Sequence, residues 1–492
     1  MTQRLSGSRP NLACFAVFAI LAAPVGLVAQ SGGGSGKVPI TTASSEARQQ
    51  YLQGRTLGEN LRAYDARQIL LQAAAKDPNF ALAHYSLAQN AGSAKDFFEH
   101  LKHAVALSGK ASKGERLMIL GLQAGANADT KLQRDYYEQL VAAYPRDERA
   151  HFLLGNAYFG QQNYEQAVGE YHKAVELAPT YAPAYNLLGY AERARERYGD
   201  AESAFKKYIE LIPNDPNPYD SYAELLMKMG RFDESIAMYR KALATDSNFS
   251  NSRFGVASNL MFLGKHDEAR KELTELQERA RNDGDRRLAF FATAVTYADQ
   301  GSYDRAAEEL QQEYGVAEKA GDNAAMAADV TAIGDVLLEA GKPDRARERY
   351  EQALRLQERS DLPAEVKANA RLVHHYNLGR VALATHDVAG AKQHADTFLQ
   401  GATAKKNDAQ IRLGHELLGA IALEEKQFAR ATAELNQGNQ QDPYTLYRLG
   451  QASQGNGDGG KAAEYFRRAA DQNTLPTLNL AFVRTKTRKA KV

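Results

Sequence analysis

The residues best suited to chemistry in this chain are its histidines, and they are sparsely placed. His100 and His103 stand three apart, neighbours on one helical face, with Glu99 beside them. A zinc site needs three or four convergent ligands, and no further His or Cys lies close in sequence, so the pair reads as surface histidines. His374 and His375 are adjacent; on a helix they point about 100° apart and do not readily share a metal. Neither H-E-x-x-H nor G-x-x-x-x-G-K-[ST] occurs, and the glycines and Lys37 of SGGGSGK follow an apolar N-terminal stretch instead of a strand. No G-x-S-x-G elbow is present. The single cysteine, Cys14, lies in that N-terminal stretch, which leaves the remainder without disulfide or thiolate chemistry. Sixty-one Lys and Arg against 60 Asp and Glu give no global field for a polyanion, which argues against nucleic acid as the main partner. No catalytic, cofactor-binding or metal site emerges from these patterns.

What the chain does carry is repetition. HFLLGNAYFGQQNYEQAVGEYHKAVELAP, ending at Pro179, is followed by YNLLGYAERARERYGDAESAFKKYIELIP, ending at Pro213. Gly155 and Gly189, Ala167 and Ala201, Tyr171 and Phe205, and Pro179 and Pro213 are each 34 residues apart. Within the first copy His151, Leu154, Gly155 and Tyr158 share one helical face, and Ala167, Tyr171 and Ala174 form a second buried stripe. A glycine inside a helix costs about 1 kcal/mol against alanine; its return in register implies that two helix backbones approach closely there. Pro179 stops the second helix, and Pro183 is placed to begin the next. Small residues at fixed offsets in a 34-residue period are the mark of stacked helical hairpins.

These residues resemble the tetratricopeptide repeat family. The resemblance implies an all-α, right-handed α-solenoid of about twelve stacked helix–turn–helix repeats. Met1 to Ala29 reads as a signal peptide, with Arg4 and Arg9 ahead of the apolar run Ala13–Val28, which is short for a bilayer crossing of roughly 20 residues. Residues 30–46 read as a flexible linker, 47–280 as units of about 34 residues, and 281–471 as longer units, since Gly301 and Gly341, like Gly379 and Gly419, are 40 apart. Two departures stand out: Gln133 replaces the expected alanine of the third unit, and Ser235 that of the sixth. Residues 472–492 are expected to form a cap, with Leu475–Val483 over the end of the array and Arg484, Lys486, Arg488, Lys489 and Lys491 as a solvated basic tip.

In this family the first helix of each pair lines a concave groove. That places Phe152, Asn156 and Phe159, then Asn186, Tyr190 and Arg193, then Asp220, Glu224 and Met227, and finally Phe254, Ser258 and Met261 along it. Aromatic, amide and charged groups in such a row suit an extended peptide. Relatives that clamp a C-terminal carboxylate use Lys and Asn, then Asn, then Lys and Arg. Here Asn156 matches, but Phe152, Leu187, Asn217 and Ser221 occupy the other positions, so the cationic clamp is missing. The expectation is an exported bacterial scaffold, periplasmic or at the cell envelope, that binds a protein or peptide partner, with no cofactor and no membrane contact beyond the N-terminal segment. One alternative is an envelope assembly factor anchored by that segment. Another is an enzyme or regulatory subunit with a site built on the solenoid, for which convergent carboxylates in the groove would speak.

Overall fold

A computed structural model describes residues 36–490. The expected signal peptide, Cys14 and the start of the linker lie outside the described residues. The described residues form 25 α-helices, twenty-four of them paired into twelve hairpins, with no strand among them. The first three hairpins are α1 (Ser45–Glu59) with α2 (Ala63–Lys76), α3 (Ala81–Gln89) with α4 (Ala94–Leu107), and α5 (Lys113–Ala126) with α6 (Thr130–Ala143). Next come α7 (Glu148–Gly160) with α8 (Tyr164–Leu177), and α9 (Ala182–Ala194) with α10 (Tyr198–Leu211). These make up the first of two compact units, which runs to Leu211.

The second unit begins at Ile212. It holds α11 (Asn217–Lys228) with α12 (Phe232–Thr245), α13 (Ser250–Phe262) with α14 (His266–Glu278), and α15 (Asp283–Asp299) with α16 (Tyr303–Lys319). Then follow α17 (Asn323–Glu339) with α18 (Pro343–Arg359), and α19 (Ala364–Ala384) with α20 (Val388–Ala404). The last hairpins are α21 (Asp408–Glu424) with α22 (Phe428–Leu435) and α23 (Pro443–Gly455) with α24 (Gly459–Ala470). A final helix, α25 (Leu478–Ala490), has no partner helix in sequence. Helices α15 to α21 have 17 or 21 residues each, α22 has eight, α23 has 13 and α24 has 12.

Local chemistry sets the helix ends. Ser44 caps α1 by accepting from the Ala47 N–H, and Ser112 with Glu115 forms a capping box at α5. Pro183 lies in the first turn of α9, where its missing N–H is harmless.

The recurring glycine makes room for a side chain of the second helix. A methyl group added at Gly155 would lie 2.6 Å from the Tyr171 ring, at Gly189 2.7 Å from Phe205, and at Gly334 2.6 Å from Tyr350. The glycine therefore admits a ring from the second helix of its own hairpin, and at Gly54 and Gly419 a backbone atom of that helix also lies 3.3 Å from the added methyl. Those rings are fully buried, each contributing about 1.5–3 kcal/mol of apolar transfer. The departures are compensated locally. Opposite Gln133 stands Gly125, where a methyl would meet the Gln133 amide at 2.2 Å. Ser235, with no exposure, donates to the Ala223 carbonyl at 2.7 Å and accepts from Asn259 at 3.0 Å, so its hydroxyl is satisfied.

The described end of the expected flexible linker is anchored. Val38 N–H donates to Asp147 at 2.7 Å, Thr41 N–H to Glu115 at 2.7 Å, and Thr42 Oγ1 to Asp77 at 2.5 Å, while Lys37 pairs with Glu148.

Candidate functional site

In the first unit the expected row is only partly open. Phe152, Asn156 and Phe159 on α7 and Tyr190 and Arg193 on α9 are half-buried. Phe152 sits between two rings, 6.0 Å from Tyr171 and 5.5 Å from Tyr181. Asn156 accepts from the Tyr171 hydroxyl at 2.8 Å through Oδ1, which leaves its amide N–H groups to donate. Phe159 packs edge-on to Tyr164 at 5.4 Å, and the Arg193 guanidinium lies 4.7 Å over the Tyr190 ring. Asn186 departs from the expectation: it is 1% exposed, turned inward between helices, with Oδ1 unpartnered.

Beside this row lies a network the sequence did not reveal. Arg149 on α7 pairs with both carboxylate oxygens of Glu59, at 2.8 and 3.0 Å, and with Glu148 at 2.6 Å, over the Tyr181 ring at 4.7 Å. Burial favours the neutral guanidine, but Glu59, Tyr181 and Glu148 outweigh it and hold the Arg149 pKa above its usual value. The two partners are 90 residues apart in sequence; only stacking brings α1 to α7.

In the second unit four more expected groove residues are buried: Asp220, Met227, Phe254 and Met261, together with Ser258; Glu224 is half-buried. Successive first helices pack on one another, α11 on α13 and α13 on α15, and close the row. Phe254 and Met261 belong to one apolar cluster with Leu478, Ala481 and Phe482 of α25, which packs on α15, α17 and α23 as well as on α24. Asp220 is closed in by α13, whose Ser252 hydroxyl donates to it at 2.6 Å, and burial pushes its carboxyl well above the usual range.

Where it is described, the basic tip is paired with acids, although Arg488 remains half exposed. Arg484 reaches Asp299 at 2.8 Å, Arg488 reaches the same carboxylate at 2.5 Å, and Lys486 reaches Glu339 at 2.7 Å. Asp299 has no exposure; burial alone would raise its carboxyl, but His266 at 2.9 Å and the two arginines hold it below the usual value. Among α17, α19, α21, α23 and α25 a cavity of about 240 Å³ remains, lined in part by Tyr376, Arg380, Glu416, Asp442, Tyr444 and Arg448. Glu416 accepts from the Asn439 N–H at 2.8 Å, and Asp442 caps α23 through the Tyr444 and Thr445 N–H groups. Burial, aided by the Asp442 charge, pushes Glu416 up to about 8.

The histidines are better connected than their sequence spacing implied. His84, on α3, brings its Nδ1 within 3.3 Å of His100 Nδ1 and stacks on His103 at 5.0 Å; burial and these neighbours push it down to about 4. His375 meets His394 at 3.0 Å, His151 meets Glu170 at 2.7 Å and His415 meets Glu434 at 2.8 Å, all at a 19-residue offset across one hairpin. Among the described residues no group of three or more His, Cys, Asp or Glu is arranged to hold a metal.

Tetratricopeptide repeat family models match residues 148–181, 182–215, 226–289 and 331–400. The chain is a tetratricopeptide repeat protein. Curated proteins give no match. Among solved structures, this tetratricopeptide repeat protein is similar to the MamA protein, at 23% identity and a TM-score of 0.29, over 34% of this chain and 91% of that one. A tetratricopeptide repeat protein from Parabacteroides merdae matches at 14% identity and a TM-score of 0.36, over 58% of this chain and 99% of its own. YrrB, described as a tetratricopeptide repeat protein with an unusual peptide-binding site, matches at 22% identity and a TM-score of 0.26, over 37% and 91%. A tetratricopeptide repeat array of this kind is a protein-interaction scaffold. Among its described residues no helix is long and apolar enough to cross a membrane.

Proposed function

We propose that this protein captures an extended segment of a partner protein on the inner face of its first unit, in the periplasm or at the cell envelope. The observation that carries the reading is the partly open row of Phe152, Asn156, Phe159, Tyr190 and Arg193 on consecutive first helices. Apolar rings there alternate with groups that donate hydrogen bonds, the pattern that holds a peptide backbone while its side chains rest on aromatic faces. The absent cationic clamp argues for an internal segment over a free C-terminus. Export is supported by the N-terminal order of Arg4 and Arg9, an apolar run and small residues before Gln30.

In-cell crosslinking with mass spectrometry identifies the partner, and capture of that partner by variants tests the face. Phe152 is wedged between two rings, so its removal disturbs packing; Phe159→Ala with Arg193→Ala is the cleaner pair. The double variant should melt within a few degrees of the parent and bind at least tenfold more weakly, about 1.4 kcal/mol. Undiminished capture would move the binding surface elsewhere. Fractionation with intact-mass measurement tests export: loss of the first 29 or so residues supports a soluble exported protein, and retention in the membrane fraction the anchored alternative.

The enzyme reading gains little from the cavity. Its two buried carboxyls, Glu416 and Asp442, already hold a loop N–H and a helix N-terminus, which are positioning tasks.

A further inference from the structure

Helix α25 lies where a ligand would lie. Its residues Leu480, Ala481, Phe482 and Val483 are at most 1% exposed, and its basic residues face acids on the first helices of hairpins far apart in the chain. Arg484 Nε donates to Asp299 Oδ1 at 2.8 Å and its guanidinium rests 4.8 Å from the centre of the Phe262 ring. Arg488 donates to both the Asp299 carboxylate and its backbone carbonyl, at 2.5 and 2.7 Å. Thr485 Oγ1 lies 3.2 Å from the carbonyls of Ala298 and Asp299, and Lys486 reaches Glu339, which also accepts from the Tyr444 hydroxyl. A cap on the end of an array would shield the outer side of its last helix. This helix packs on α24, the last of the paired helices, and extends past it onto α15, α17 and α23.

Among the described residues, two acids of this face, Asp442 and Glu416, meet no base of α25; Arg448 of α23 lies near both. Asp299 and Glu339 have cationic partners on α25; Asp442 accepts from the Asn479 amide at 3.1 Å and from the Tyr444 and Thr445 N–H groups. Glu416 is met by the Asn439 N–H and by no base within ion-pair distance among the described residues. The space between Asn479, Lys486 and these two carboxyls is the cavity of about 240 Å³, room enough for a longer side chain. The connection to α24, at residues 471–477, contains no helix, and Lys228 holds it through Gln472 at 3.0 Å.

We propose that the inner face of the second unit is a receptor for a cationic amphipathic helix, occupied here by the chain's own C-terminal helix, and that the partner helix able to replace it carries a further Arg or Lys at the turn held by Asn479. Charge complementarity sets the orientation, the apolar side of the helix supplies the burial, and the extra cation fills the cavity, pairs with Asp442 and Glu416 and displaces the proton that burial holds on Glu416. The tethered helix competes at the high effective concentration of a short linker, on the order of millimolar, so a partner needs that extra contact. This inference concerns a different unit and a different ligand from the proposed function and stands or falls separately.

The test keeps the full chain. A protease site is inserted between Gln472 and Leu475, the folded protein is cut, and fluorescein-labelled peptides of residues 475–492 are added. The cut helix should exchange with the labelled parent peptide, and raising salt from 50 to roughly 500 mM should weaken binding at least tenfold, as screening requires. The Asn479→Arg peptide should bind about tenfold more tightly than the parent peptide. Glu416→Gln in the receptor should abolish that gain while leaving the parent peptide unaffected. A cut helix that never exchanges, or whose loss unfolds the second unit irreversibly, makes α25 a structural part and overturns the proposal. An Asn479→Arg peptide that binds no better than the parent overturns the assigned ligand chemistry.

Discussion

The two units are built from the same hairpin and treat their inner faces in opposite ways. In the first, Phe152, Asn156, Phe159, Tyr190 and Arg193 remain half open. In the second, the equivalent Asp220, Met227, Phe254 and Met261 are sealed, two of them in one apolar cluster with α25. The charged networks differ too. Arg149 ties α7 to Glu59 beside a half-buried aromatic row, whereas Asp299 binds His266 and two arginines of α25. The glycine-and-ring lock defines the hairpin in both; the side chains facing inward decide whether the face is available.

The largest effect should come from breaking the anchor peculiar to the second unit. Asp299→Ala leaves His266 and Arg484, both largely buried, without their carboxylate. Removing one member of a buried ion pair costs about 3–5 kcal/mol. Arg488 is half exposed and adds little. Urea unfolding should show the second unit losing most of its stability while the first keeps its transition. A loss under about 1 kcal/mol would mean that α25 is held by its apolar side alone.

That anchor also marks the limit of what the sequence discloses. The hairpins were legible because their signal is local: a glycine, an alanine, a ring and a proline at fixed offsets, from Gly54 to Phe466. Even the substituted positions, Gln133 and Ser235, could be flagged, although their compensation by Gly125 and Asn259 could not. The basic residues Arg484, Lys486 and Arg488 were visible as a run, but their acids stand elsewhere, Asp299 being 185 residues from Arg484, and nothing in the local pattern distinguishes them from surface acids. His84 escaped notice for the same reason, since it lies one helix before His100. The residues of the expected row fall on first helices, but their exposure depends on how neighbouring helices pack, which periodicity does not encode.

The shared lock should respond equally in both units. Gly155→Leu and Gly334→Leu each drive a side chain into a ring 2.6 Å from the first added atom, an overpacking of about 1–3 kcal/mol. Matching losses by calorimetry would confirm that the difference between the units lies outside the hairpin. An unchanged melt at either glycine would remove the lock from that unit.

A smaller effect separates the units by pH. Glu416 is held near 8 against its usual 4.5, chiefly by burial and then by Asp442. The folded second unit therefore keeps a proton that the unfolded chain releases, and stability should fall as pH rises between those two values. Glu416→Gln should flatten this decline by several degrees of Tm between pH 5 and 8.5. An identical slope in the variant would assign the pH dependence to other groups.

The smallest effect belongs to the turns inside the hairpins. Both units place a residue with positive φ there, Gly230 at 75° in the second but Gln162 at 64° in the first. A side chain in this left-handed region is strained by roughly 1–2 kcal/mol, part of which glycine returns through its greater freedom when unfolded. Gln162→Gly should therefore raise the stability of the first unit by about 0.5 kcal/mol, whereas Gly230→Gln should lower that of the second by a similar amount. Opposite signs at equivalent positions would show that the turn imposes the same backbone on both units. Equal signs would mean that the Gln162 side chain contributes contacts of its own, and that the two units differ even in the hairpin they share.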